Sequence, residues 1–318
     1  MDLIEVSKRS SVKPIIWMRE LRAPFFTATI VPVLLGATMA WYRAGVFNVT
    51  HFMLTLIAAL CLHAGTNMIN DYFDYKSGCD LHPMYQEFSA PFFGGSRILP
   101  EGALNPRNVY IAALVSFGLG GAIGVFLAFE AGWIIILLGV IGVLSGYFYV
   151  THLSTRGVGE FFVGLNFGPL MVIGSYYVQL QTFSAEPLVA SIPIGLLIAG
   201  VLWINEIPDY IADRTVGKTT LVVRLGTKAA ADVFAVILVV NYVFVVLTVW
   251  LGVIPLYSLI ALATVPMAAK AIKVAEKHYG EPQKMVPANG ITVLLHLFTG
   301  LLLILGYVLD FLLVSQRS

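Results

Sequence analysis

The sequence predicts an all-α polytopic membrane protein with nine transmembrane helices, the N-terminus cytoplasmic and the C-terminus outside. Three observations predict it. Apolar residues make up 58% of the 318 and charged residues only 12%, where a soluble chain carries roughly 25% charged. Apolar stretches of spanning length recur along the whole chain. Lys and Arg fall almost entirely on one side of the topology those stretches define.

The first 22 residues are mixed and basic, unlike a cleavable signal peptide, and the first apolar run, about 23–42, is of full spanning length. Further runs follow at about 51–70, 108–128, 131–150, 159–180, 187–206, 229–250, 253–274 and 288–315. Each approaches the roughly 20 apolar residues that a spanning helix needs. The runs are continuous rather than alternating, which favours helices over barrel strands. Gly120 and Gly124, Gly142 and Gly146, and Gly164 and Gly168 have the small-xxx-small spacing of close helix packing. Residues 1–318 are expected to form one nine-helix domain.

With the N-terminus inside, the first inner segment carries Lys8, Arg9, Lys13, Arg19 and Arg22. The second carries Lys76, Arg97 and Arg107, and the third Arg156. The fourth carries Arg214, Lys218, Arg224 and Lys228, and the fifth Lys270, Lys273, Lys277 and Lys284. Only Arg43 and Arg317 of the 19 basic residues are left outside. The formal net charge is +1, so no basic excess points to nucleic acid. Two cysteines, Cys61 and Cys79, make neither a disulfide framework nor a four-cysteine zinc site.

Outer connections are short. Two inner ones, about 71–107 and about 207–228, are long and polar, as functional cap loops are. The first opens with NMINDYFDYKSGCD, in which Asn67, Asp71 and Asp74 lie at i, i+4 and i+7 on one helix face. Asp80 follows a turn at Gly78. The second opens with NEIPDYIADRTVGKTT, in which Asn205, Asp209 and Asp213 lie at i, i+4 and i+8. Pro208 is expected to kink or end that helix. The clusters stand four spans apart, so both emerge on the same side, as an internal quasi-duplication would place them.

Converging carboxylates repel one another unless protons or cations intervene. Oxygen donors with no accompanying His/Cys set favour Mg²⁺ over Zn²⁺, and Mg²⁺ shares its shell readily with phosphate oxygens. Lys76 and Arg97 follow the first cluster; Arg214, Lys218 and Arg224 follow the second. Carboxylates for metal, metal for diphosphate and cations for the remaining phosphate oxygens form a coherent set. The competing class is a cation-coupled transporter, but coupling acids usually sit near mid-bilayer on broken helices. A third class, a scaffold that only binds isoprenoid, needs no paired acidic motifs.

At these residues the sequence resembles the UbiA superfamily of intramembrane prenyltransferases, and the resemblance covers nearly the whole chain. Where some members carry a further Asp eight positions after Asn70, this chain has Gly78, and Asp80 stands two residues on. The resemblance implies that Asn67, Asp71, Asp74, Asn205, Asp209 and Asp213 hold two Mg²⁺ ions. Those ions would bind an isoprenyl diphosphate whose tail lies among the helices of a cytoplasmic (cell) membrane. Departure of diphosphate leaves an allylic carbocation that an electron-rich acceptor attacks. Asp71, Asp74, Asp209 and Asp213 are then the catalytic set. Asn67, Lys76, Arg97, Asn205, Arg214, Lys218 and Arg224 are the expected diphosphate contacts.

GGSRIL at 94–99, GVGEFFVGLNFGP at 157–169, GSYYVQ at 174–179 and GKTTLVVRLG at 217–226 resemble the menaquinone-pathway branch. That branch prenylates 1,4-dihydroxy-2-naphthoate. The alternative acceptor is a glycerol-phosphate lipid. Arg22 and Asn166 are candidate acceptor contacts, read otherwise as a topological anchor and a helix–helix hydrogen bond. Tyr147 and Tyr149 are candidates to face the carbocation, read otherwise as interfacial tyrosines.

Overall fold

The computed structural model describes residues 14–87 and 94–315. Lys8, Arg9, Lys13 and Arg317 of the charge argument lie outside the described residues. No strand occurs among those described. The helices of the candidate spans are α1 (Thr27–Ala44), α2 (Val49–Ser77), α4 (Pro106–Ala131), α8 (Ala185–Thr215), α10 (Thr227–Trp250), α11 (Val265–His278), which a 3₁₀ stretch at Leu256–Thr264 extends to spanning length, and α12 (Pro282–Asp310). α3 (Met84–Glu87) is a single turn within the first cap loop, and α9 (Leu221–Leu225) a short helix in the second. α5 (Ile134–Tyr147) and the pair α6 (Gly159–Leu165) and α7 (Met171–Leu180) complete the bundle.

Eight helices among the described residues are long and apolar enough to cross a membrane. A ninth crossing exists only as a broken pair, Ile134–Tyr147 and Tyr149–Arg156, bent by 66°. The expected run 131–150 is therefore a 14-residue helix followed by a π turn and a 3₁₀ turn. Such turns redirect a helix axis. α6 and α7 stay one span because only a π segment at Asn166–Leu170 separates them.

Both acid-bearing helices run further than expected. α2 continues to Ser77, so Asp71 and Asp74 are helical and the cap begins at Gly78, whose φ of 84° ends the helix. α8 passes through Pro208 to Thr215. A proline inside a helix cannot bond the carbonyl four residues back. Here that carbonyl, of Ile204, accepts instead from Asn289 Nδ2 at 3.0 Å. With the freed group satisfied from α12, the helix continues and keeps Asp209 and Asp213 on it.

The glycine pairs divide. A Cβ at Gly120 would meet Leu62 Cδ2 at 2.8 Å, and one at Gly168 would meet Gly195 Cα at 2.6 Å, as close packing requires. Gly146 likewise abuts Thr66, and Gly164 abuts Gly195. Gly124 and Gly142 face open space. They are cavity wall rather than helix contact.

Candidate functional site

A cavity of about 630 Å³ opens between the helices. Its apolar part is walled by residues such as Phe117, Gly124, Val140, Gly142 and Leu170. Its polar end carries Asp74, Asp80, Asp209, Asp213 and Lys218. The ends of α2 and α8 therefore meet at the mouth of a greasy chamber.

Lys218 joins the two rims. Its Nζ lies 3.2 Å from Asp74 Oδ1 and 3.5 Å from Asp213 Oδ1. Burial alone would lower its basicity, but Asp213 and Asp74 outweigh that and raise it. Asp213 also accepts from Cys79 Sγ at 3.3 Å. Burial, then the charges of Asp74 and Asp71, holds the Asp80 carboxyl well above the usual carboxylate range.

The other two aspartates are held by the first cap loop. Asp209 Oδ1 accepts from Tyr85 Oη at 2.6 Å, and the backbone N–H of Gly94 also donates to this carboxylate. Asp71 is buried, ion-paired with Arg22 Nη2, and its Oδ2 accepts from the Ser96 backbone N–H at 3.0 Å. Arg22 has a φ of 50° and lines the cavity. Its guanidinium is disfavoured by burial, yet Asp71 and Asp80 raise its basicity above the ordinary value. Ser96 Oγ donates to Glu20 Oε2 at 2.8 Å. Burial, then Asp71, pushes the Glu20 carboxyl up to about 8.

Asn67 and Asn205 line the cavity. Asn67 Nδ2 donates to the Leu21 carbonyl at 2.9 Å, and Asn205 Oδ1 accepts from Asn289 Nδ2 at 2.7 Å. Tyr149 and Asn166 also reach the cavity. Asn166 Nδ2 donates to Ser145 Oγ at 2.7 Å, and its Oδ1 has no protein partner.

Other expected residues lie elsewhere. Lys76 is exposed, 5.8 Å from the Tyr72 ring. Arg214 is exposed and donates to Tyr210 Oη, and Arg224 is exposed and donates to the Thr219 carbonyl. Arg97 donates to the Asp80 carbonyl and stands over the Tyr85 ring. Tyr147 pairs with Tyr110 Oη at 3.1 Å and packs edge-on against Phe73.

Sequence reasoning passed over Glu20, Tyr85 and Glu206. Glu206 lines the cavity, 6% exposed, and its carboxyl meets that of Glu160. Its signal was available: an acid directly after Asn205 within an apolar run is costly without a partner. Tyr85 had no signal, because its partner is 124 positions away.

The donor set suits Mg²⁺. Among the described residues no three His, Cys, Asp or Glu side chains already form a metal cage. Mg²⁺ rarely uses one; it takes one or two carboxylates and completes its shell with water and phosphate. Asp74 and Asp213 already share one cation, the Lys218 ammonium, so carboxylates from both rims reach a common charge.

A family model described as the UbiA prenyltransferase family matches residues 29–297. The chain is 28% identical over 308 residues to a Bacillus subtilis 1,4-dihydroxy-2-naphthoate octaprenyltransferase, covering 96% of this chain and 95% of that one. It is 27% identical over 297 residues to a Synechocystis 2-carboxy-1,4-naphthoquinone phytyltransferase, covering 92% of each. A solved UbiA homolog from Aeropyrum pernix superposes with a TM-score of 0.66 at 16% identity, over 88% of this chain and 97% of that one. A homolog from Archaeoglobus fulgidus, bound to GPP and Mg²⁺, gives 0.56 at 14% identity, over 91% and 99%.

Proposed function

The chain belongs to the UbiA prenyltransferase family and is a prenyltransferase, and we propose that it moves an isoprenyl group from its diphosphate to a dihydroxynaphthoate-type acceptor. The observation that carries this reading is the Asp74–Lys218–Asp213 bridge at the mouth of an apolar cavity. The diphosphate belongs at that mouth and the tail in the cavity. The curated relatives carry the naphthoate reading through their names.

Asp74 and Asp213, with Asp71, Asp209, Asn67 and Asn205 around them, would hold Mg²⁺, two ions by the family's pattern. Bound there, Mg²⁺ would neutralise diphosphate oxygens and so favour departure of the group. Lys218 and Arg22 are the cations that line the cavity, and they bind the remaining phosphate oxygens. The C–O bond to the diphosphate breaks with its electron pair leaving on oxygen. The allylic carbon is left cationic, and the apolar wall keeps water from capturing it. The electron-rich acceptor ring attacks it to form the new C–C bond, and that ring carbon releases a proton or, where it bears the carboxylate, carbon dioxide. The Tyr149 ring lies on that wall and stabilises positive charge. Asn166 and Ser145 offer the acceptor's oxygens a polar pair in an otherwise apolar surface.

The asymmetric spread of Lys and Arg supports a cytoplasmic N-terminus, an external C-terminus and a cell-membrane location. The cavity mouth then faces the cytoplasm, where soluble diphosphate is released. A transporter reading finds no support in acids that stand at helix ends.

The test is product mass spectrometry with mixed prenyl donors and a panel of dihydroxynaphthoate, hydroxybenzoate and glycerol-phosphate acceptors. Wild type should prenylate the naphthoate in a Mg²⁺-dependent manner, and Asp74→Ala and Asp213→Ala should each abolish it. Near-normal turnover in both variants would refute the metal role. Preference for glycerol phosphate would overturn the acceptor assignment.

A further inference from the structure

We infer that Tyr85 is a positioning residue for Asp209, fixing that carboxylate for metal capture from across the cap. The inference rests on the reading above of Asp209 as a metal ligand. It adds a residue that carries no acid motif.

A carboxylate accepts through about four lone-pair sites. Those of Asp209 that face the cap take the Tyr85 phenol at 2.6 Å and the Gly94 N–H. The distance is that of a charge-assisted O–H···O⁻ bond. Asp209 also lines the cavity, so both cap donors set its rotation about a direction aimed inward. Carboxylate ligands are commonly oriented by such partners.

Tyr85 is itself immobilised. It is 4% exposed and packs with Cys79 and Ala212. A Cβ at Gly94 would stand 2.8 Å from its ring, so a glycine there is what lets the ring in. The Arg97 guanidinium lies over the ring, 5.5 Å from its centroid. The phenol is therefore a rigid donor rather than a mobile one.

The two carboxylates of the α8 rim are held differently. Asp213 takes a thiol and the Lys218 ammonium, both of which an incoming cation displaces or shares. Asp209 takes a neutral donor that does not compete with a metal for charge. Tyr85 thus preorganises one ligand while Lys218 neutralises the other.

The test is Tyr85→Phe, which removes one oxygen and keeps the ring against Cys79, Gly94 and Arg97. Mn²⁺ serves as the probe, followed by electron paramagnetic resonance on the full-length protein with inorganic pyrophosphate present. We expect Mn²⁺ affinity to fall on the order of 10- to 100-fold in a protein that still folds and melts only modestly below wild type. In turnover, the Mg²⁺ concentration for half-maximal rate should rise while the rate at saturating Mg²⁺ stays near wild type. The loss should also vanish in an Asp209→Asn background, because both changes act on one interaction. Unchanged Mn²⁺ affinity, or full additivity with Asp209→Asn, overturns the inference. If wild type itself binds no Mn²⁺ with pyrophosphate, the failure lies with the metal reading instead.

Discussion

Asp74 on α2 and Asp213 on α8 face each other across a single ammonium group, that of Lys218, at 3.2 and 3.5 Å. The two motifs lie far apart in sequence, and this side chain makes them one site. All three side chains are nearly buried, so the charges are poorly screened.

Replacing Lys218 by Met leaves two facing carboxylates uncompensated. Removing one partner of a buried ion network costs about 3–5 kcal/mol, so Lys218→Met should melt well below wild type without metal. Mg²⁺ with pyrophosphate should restore more of its melting temperature than it adds to wild type. Equal melting of the two proteins in chelator would contradict the bridge.

Gly142 and Gly124 border open cavity, so a side chain there takes space from the ligand, not from a neighbouring helix. Gly142→Leu should cut kcat/KM for long-tailed donors at least tenfold, about 1.4 kcal/mol, while short-tailed donors still react. Gly120→Leu is the contrast. It collides with Leu62 and the Ala58 carbonyl and should lower folded yield for every donor. A donor panel assayed on purified protein separates the two outcomes.

Glu20 supplies a pH dependence. Its folded carboxyl is pushed up to about 8 from an ordinary 4.5, so the folded state binds the proton more tightly than the unfolded chain. That contribution is complete below 4.5 and is lost as pH rises through about 8. Thermal stability in detergent should decline across this window, and Glu20→Gln should flatten the decline. A Gln variant with an undiminished slope would assign the effect elsewhere.

Much of this was legible in the chain. Apolar run length located the crossings, because a bilayer imposes that length on any helix. The i, i+4, i+7 spacing placed Asn67, Asp71 and Asp74 together on α2. What the sequence leaves unread is partners far along the chain, a bend without a proline, and the direction in which a long side chain turns. Pro208 reads as a helix end until Asn289 takes up the Ile204 carbonyl. The 66° break after Tyr147 has no proline to announce it. Lys76, Arg214 and Arg224 stand near the motifs in sequence yet turn to Tyr72, Tyr210 and Thr219. Proximity along the chain does not fix the direction of a long side chain.

Gly94 and Ser96 donate their backbone N–H groups to Asp209 and Asp71, one on each half of the bundle. For anyone building chimeras, these few residues belong with the helices and not with the cap. A graft that cuts before Gly94 preserves the stitch between the halves, whereas one that replaces 94–96 with a segment one residue longer or shorter unpicks it.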